Sequence, residues 1–187
     1  MRSSASTRNR SPEFALELYL VFAGEDRPRP CTGRRLLRAG AVRGLGEEGS
    51  WPEGAVVLDP FSPEPLSPAD RSNGRSRLVG VDCSWNQLSA RGTYPRTARR
   101  LNRLRARRRL PWLLAGNAQH YGHLGQLNTA EALAAAAYIL GEVEQARYLL
   151  SASGVGVSLL ELNREPLESY RQAKGRSGIL DAEREFF

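Results

Sequence analysis

Cysteine is nearly missing from this chain: Cys31 and Cys83 are the only two, far apart, with no Cys-x-x-Cys and no histidine set beside them. That excludes a disulfide framework and a structural zinc site, and it points to a reduced, cytoplasmic chain. His120 and His123 stand close together but lack further metal-type partners, so no metal is expected. No apolar run approaches the ~20 residues that a membrane-spanning helix needs. The opening residues 1–11 are polar and arginine-bearing, without the apolar segment of a secretory signal. Residues 1–13 therefore read as a disordered basic tail. The most specific absence is of acid: between Cys83 and Ala130 there is no Asp and no Glu.

What fills that gap is arginine. Arg91, Arg96, Arg99, Arg100, Arg103, Arg105, Arg107, Arg108 and Arg109 crowd into it, in a chain of net charge +7. A charge run is usually only a solvated helix face. Without acids in the run, self-repulsion opposes folding unless a polyanion binds. Arginine forks onto phosphate and stacks on bases, so the run indicates nucleic acid, RNA above all.

The chain is 187 residues long, enough for one core or two closely packed lobes. Leu16–Phe22, Ala55–Leu58, Leu78–Val81 and Leu110–Ala115 read as strands from their apolar runs. Residues 31–40 read as a short helix, with Thr32 as its N-cap and Gly40 as its stop. Gly44–Gly54 reads as a polar, glycine-rich loop. The proline-rich stretch 59–68 cannot enter a sheet interior; 67–70 can start a helical turn. Residues 94–109 read as a basic helix with Leu101 and Leu104 on a narrow apolar stripe. Asn128 and Glu131 have capping-box spacing before an alanine-rich helix that runs to Leu140. Helices follow at 142–151, 159–163, 166–174 and 179–187. Strands first and helices after predict an α/β part over 14–116 and an all-α part over 117–187.

The stretch with most chemistry is Val81-Asp82-Cys83-Ser84-Trp85, just past a buried-strand pattern. Ligands bind at strand ends in α/β sheets. An Asp can take an ammonium, and an indole can cover an adenine or a sulfonium. Alone, the stretch is equally a surface turn with a half-buried Trp.

Other motifs accompany it in order: Cys31-Thr32-Gly33, Arg109-Leu110-Pro111 with Ala115-x-Asn117, His120-Tyr121-Gly122, Leu127-x-Thr129-x-Glu131-Ala132, and Leu160-x-Leu162-Asn163 with Tyr170. Together these resemble the small-subunit rRNA aminocarboxypropyltransferase family, the Tsr-type ribosome-biogenesis factors of archaea and eukaryotes. The resemblance covers residues 16–187. It implies an α/β fold, a SPOUT-like parallel sheet with a deep trefoil knot, followed by an all-α C-terminal domain. The knot comes from the resemblance alone, because true knots are too rare for a pattern argument to suggest one. The implied reaction moves the 3-amino-3-carboxypropyl arm of S-adenosylmethionine to ring nitrogen 3 of a 1-methylpseudouridine in small-subunit rRNA, and releases methylthioadenosine. A monomer acting on rRNA or the pre-ribosomal small subunit, away from membranes, is expected. Two rival readings are a SPOUT-like RNA methyltransferase and a non-catalytic rRNA-binding assembly factor.

Carried over by position, the resemblance puts Leu58, Pro60 and Trp85 around the adenine, with backbone at Leu110 and Gly125 on its edge. Backbone at Val81 meets the ribose. Thr32, Thr129 and Asp82 lie near the amino-acid arm, and Leu127 and Ala132 line an apolar pocket. Asp82 is the candidate catalytic base, and more simply a ligand of the substrate ammonium. Arg34, Arg35, Arg99, Arg100, Arg103, Arg105 and Arg107 are the expected RNA-binding residues. The sequence departs from the family pattern at Ala115-Gly116-Asn117-Ala118, where Ala-Ala-Asn-Pro is common, at Gln119-His120, and at Gly125, which aligns with a bulky residue.

Overall fold

The computed structural model describes residues 13–22, 31–46, 51–71, 76–82 and 106–187. Within them the chain runs β1 (Leu16–Phe22), α1 (Thr32–Arg38), β2 (Arg43–Leu45), β3 (Val56–Leu58), a 3-10 turn (Pro68–Asp70), β4 (Ser76–Asp82) and β5 (Arg107–Arg108). Five helices follow: α2 (Thr129–Ile139), α3 (Val143–Ser153), α4 (Ser158–Leu162), α5 (Arg164–Gln172) and α6 (Gly175–Phe186). The strands form one parallel sheet in the order β2-β1-β4-β3-β5.

Alternation along the strands assigns the two faces. Leu16, Leu18, Leu20, Val56, Leu58 and Leu78 point into the main core, which continues through α2 and α3 to Ile179 and Ala182. One core therefore spans residue 116, the boundary between the two parts read from the sequence. Val21, Val57 and Val79 form a smaller cluster on the opposite face, with Tyr19, Leu45 and Trp51 against it.

Helix α2 is the centre of the molecule. Ala130, Glu131, Leu133, the four alanines 134–137 and Ile139 are all buried. A helix apolar on every side belongs inside a protein, and small alanines let neighbours approach closely. The approach to β4 also needs Gly80: a Cβ there would lie 3.0 Å from a Leu20 methyl and 3.1 Å from a Leu133 methyl. This close packing brings the start of α2 to the end of β4. No described helix is long and apolar enough to cross a membrane.

Three expectations change. The expected loop over Gly44–Gly54 begins inside β2 (Arg43–Leu45), an edge strand too short and polar to show an apolar run. The last strand is Arg107–Arg108, not Leu110–Ala115; of the latter, Leu114 forms an antiparallel bridge to Leu124. The expected basic helix over 94–109 ends in this strand at 107–108, and its residues 94–105 lie outside the described residues.

Candidate functional site at the end of strand β4

Asp82 closes β4, opposite Phe22 of β1 in the register. Its carboxylate sits between two helix starts. Thr129, the first residue of α2, donates its hydroxyl to Oδ1 at 2.9 Å. The Cys31 thiol donates to Oδ2 at 3.1 Å. Burial raises the Cys31 pKa, and Asp82 adds to the rise against the opposing backbone N–H of Arg34, so the thiol stays protonated and remains a donor. Cys31 is also the N-cap of α1, accepting from the Arg34 N–H at 3.4 Å, one residue earlier than the Thr32 expected from the sequence. Gly33 lies buried beneath, where any Cβ would collide with the Asp82 carboxylate.

Thr129 is joined in turn to the segment that follows Ala115, which one buried carboxylate fixes. Glu131 is 0% exposed. Its Oε1 accepts from the Gly116 N–H at 2.8 Å. Its Oε2 accepts from Asn117 Nδ2 at 2.6 Å and from the Asn128 N–H at 2.9 Å. Asn117 Nδ2 also donates to the Gln126 carbonyl at 3.1 Å. A buried carboxylate is tolerable only when its oxygens are satisfied in this way. Glu131 thus ties the backbone carrying Gly125 and Leu127 to the helix carrying Thr129.

Among the other sequence-derived positions, Leu58 is the buried last residue of β3, Pro60 is exposed just past it, and Val81 is half-buried at the end of β4. The β3–β5 pairing of Leu58 with Arg108 brings half-buried Leu110 to the same edge of the sheet. Gly125, Ala132 and Thr32 are half-buried, and Leu127 is buried. Gly125 has φ 73°, and the Trp112 ring stands 3.0 Å from where its Cβ would be, so the indole occupies the space of the missing side chain. Trp85, Arg99, Arg100, Arg103 and Arg105 lie outside the described residues. Among the described residues no cluster of His, Cys, Asp and Glu could hold a metal ion.

The described arginines of the run and of the expected RNA contacts fall into two groups. On α1, Arg34 is exposed, with its guanidinium 5.7 Å from the Phe22 ring centre, and Arg35 donates to the Ser153 carbonyl at 3.0 Å. On and after β5, each arginine has an acid, which corrects the expectation of an unbalanced run. Arg107 pairs with buried Asp59 at 3.1 Å. Arg108 pairs with Asp70 at 2.8 Å and Glu64 at 3.0 Å. Arg109 forks onto Glu183 of α6 at 2.5 and 2.8 Å. The acids come from remote parts of the chain, which a scan of local composition does not see.

Sequence reasoning also missed Cys31, Glu131, Asn163 and Glu183 as builders of the site. The capping-box spacing does announce Glu131's bond to Asn128; nothing local announces its reach to Gly116 and Asn117. Buried Asn163 brackets Leu114, accepting from its N–H at 2.7 Å and donating to its carbonyl at 2.8 Å.

Comparison with known proteins bears on this geometry. The family described as "Ribosome biogenesis protein, C-terminal" matches residues 56–187. The chain is similar to a 16S rRNA aminocarboxypropyltransferase of Methanosarcina mazei, 39% identical over 92% of this chain and 96% of the relative. It is also similar to the protein of that name in Methanosarcina acetivorans, at 41% identity over 88% and 90% of the two chains. Among solved structures it resembles the SAM-dependent rRNA:acp-transferase Tsr3 from Vulcanisaeta distributa, with a TM-score of 0.70 and 29% identity, covering 90% of this chain and 96% of that one. With a parallel sheet ending at Asp82 and a match over nearly its whole length, the chain belongs to the family of small-subunit rRNA aminocarboxypropyltransferases.

Proposed function

We propose that this chain transfers the 3-amino-3-carboxypropyl group of S-adenosylmethionine to ring nitrogen 3 of a 1-methylpseudouridine in small-subunit rRNA during ribosome biogenesis, as a metal-independent cytoplasmic monomer. The observation that carries the reading is the Asp82 carboxylate, held by Thr129 and Cys31 at the end of β4 and, among the described residues, joined to no cation. An anion fixed by neutral donors at a strand end is suited to the substrate ammonium. The apolar side chains of Leu58, Leu127 and Ala132 suit the neighbouring S-methyl group and adenosine. Trp85, three residues beyond Asp82, is assigned to the adenine, with Pro60 and the backbones of Val81, Leu110 and Gly125.

In the reaction the uridine nitrogen attacks the γ-carbon, the carbon–sulfur bond breaks, and its electron pair stays on sulfur. The leaving methylthioadenosine is neutral and needs no general acid. The imide proton passes to solvent or a base. Catalysis then consists of choosing which carbon of the sulfonium faces the acceptor and aligning the attack. Asp82, with both oxygens already engaged, serves as a ligand of the ammonium. Thr129 and Cys31 position it, and Glu131 ties the segment carrying Gly125 and Leu127 to the helix that Thr129 opens.

The SPOUT-like knot and the division at residue 116 into an α/β domain and an all-α C-terminal domain belong to the same proposal. Insertion of β4 between β1 and β3 is consistent with the knot, and the division at residue 116 is one of element type within the single core. Arg34, Arg35 and the stretch containing Arg99, Arg100, Arg103 and Arg105 are assigned to rRNA phosphates. Arg107 is assigned to them as well, beside its ion pair with Asp59.

Product analysis tests the reaction. Incubation with S-adenosylmethionine and small-subunit rRNA that carries the 1-methylpseudouridine but lacks the aminocarboxypropyl group should release methylthioadenosine. Release of S-adenosylhomocysteine would make the chain a methyltransferase, and no turnover with no cofactor binding would make it an assembly factor.

A further inference from the structure

Residues 112–125 form a short hairpin outside the sheet. Leu114 and Leu124 bridge antiparallel, the Gly125 N–H donates to the Leu113 carbonyl at 2.8 Å, the Ala115 N–H to His123 at 2.9 Å, and the Gly122 N–H to Ala115 at 2.8 Å. Alternation along this ribbon puts Leu113 and Ala115 inward, where both are buried, and Trp112, Leu114 and Leu124 outward. Trp112 is 47% exposed, Leu124 42%, and Tyr121 at the tip 59%.

The exposure is not that of a loose loop. The Trp112 N–H donates to Glu183 at 2.9 Å, and its carbonyl accepts from the buried Tyr170 hydroxyl at 3.0 Å. Its backbone is fixed on both sides, and its ring, packed over Gly125 with one part, leaves about half of the residue in solvent. The hairpin's root is held by Asn163 and Glu131 as described above. A fixed backbone presenting aromatic rings has already lost most of the entropy that binding would cost. Such rings on a soluble surface mark a place for a partner.

The partner's chemistry follows from charge and position. Residues 110–130 contain no Lys, Arg, Asp or Glu, so this surface makes no ion pairs of its own. The nearest described guanidinium, Arg109, lies 6.0 Å from the Trp112 ring centre and is already bound to Glu183. The surface is neutral and aromatic, on a chain of net charge +7 that draws polyanions. Its far strand leads directly through Leu127 and Asn128 into Thr129, the donor to Asp82. Unpaired bases, which have a π-face and no charge, fit rings of this kind.

We propose that the hairpin carrying Trp112, Tyr121 and Leu124 is a stacking platform for unpaired bases of the RNA beside the modified nucleotide. This rests on reading the chain as an rRNA-modifying enzyme. The platform holds the acceptor strand while the arginines hold phosphate, so the two contributions separate by their response to salt.

The test is filter binding at several salt concentrations, using a synthetic small-subunit rRNA hairpin with an unpaired loop and the same loop sequence annealed to its complement. Tyr121→Ala and Trp112→Ala should each lose about tenfold to a hundredfold in affinity for the unpaired loop. Their salt slopes should match wild type, because stacking releases no counterions. Affinity for the duplex should not change, and Tyr121→Phe should retain full binding. Tyr121 is exposed enough that its variant folds, and S-adenosylmethionine binding by Tyr121→Ala equal to wild type verifies this. Wild-type affinity of both alanine variants for the loop overturns the platform and leaves the enzyme reading standing. Equal losses on loop and duplex with a flattened salt slope also overturn it, in favour of a phosphate surface. Failure of the wild-type protein to bind either RNA overturns the platform and the reading beneath it together.

Discussion

At the β5 edge, Arg107, Arg108 and Arg109 meet Asp59, Asp70 and Glu183, and each pair is at least partly withdrawn from water. At the end of β4, Asp82 meets a hydroxyl and a thiol, and no salt bridge to it forms among the described residues. Both regions hold carboxylates at the margin of one core. In the first, charge is neutralised within the protein and joins β5, the 3-10 turn and α6. In the second, neutral donors orient a carboxylate and leave its charge for something else. Neither an arginine run nor a lone aspartate, then, declares its role by composition. The role depends on which opposite charge the fold delivers to it.

The largest expected effect breaks the first region. Arg109→Ala leaves Glu183, only 7% exposed, without its cation and loosens α6 from the segment 109–112. A loss of about 3–5 kcal/mol in urea unfolding is expected, as for other buried pairs cut on one side. The double variant Arg109→Met with Glu183→Leu should recover most of that loss. If the single and double variants are equally unstable, the cost lies in packing and not in the orphaned charge.

Next comes the second region. Asp82→Asn should weaken S-adenosylmethionine binding by about 1.5–3 kcal/mol, the range for hydrogen bonds to charged groups. Methylthioadenosine has no ammonium, so its affinity should be nearly unchanged. Thr129→Ala should act in the same direction by about 0.5–1.5 kcal/mol through the loss of one bond to Asp82. Calorimetry with both ligands is the measurement, and equal losses for both would take Asp82 away from the amino-acid arm.

A smaller change sharpens the contrast between the arginines. Arg34→Glu on α1 should alter stability by no more than about 0.5 kcal/mol. It should lower RNA affinity and reduce the salt slope by about 0.7–0.9 for each phosphate that is no longer neutralised. Filter binding over a salt series, beside urea unfolding of the same variant, is the check. Arg107→Glu is unsuited to this comparison because it would face buried Asp59.

The smallest effect concerns an ordinary surface pair. The Arg171 guanidinium, with help from Gln172, holds the Glu168 carboxyl down at about 2 from an ordinary 4.5. A folded pKa below the unfolded one gives stability that is present above about 4.5 and is lost as pH falls toward 2. The difference in Tm between wild type and Glu168→Gln should therefore be flat from neutral pH to about 4.5 and shrink below it. Its size at neutral pH should be small, because the pair is exposed to solvent.

The sequence by itself determined the strands whose apolar runs are buried on a sheet, β1, β3 and β4, and the helices whose caps are local, above all α2 behind Asn128 and Glu131. Burial of a continuous run and a cap bond three residues away are short-range matters, so both are legible in the letters. It also determined that Asp82 stands at a strand's end, just past Val81, and that Thr129 opens a helix. Only the tertiary structure decided that these two meet, because the meeting depends on Gly80 letting α2 lie close against β4. It likewise decided that β2 and β5, too short and polar to show a pattern, join the sheet as its edges. The fate of the arginines at 107–109 was settled the same way. Their acids lie at Asp59, Asp70 and Glu183, and ion pairing depends on distance in space, to which distance along the chain is no guide.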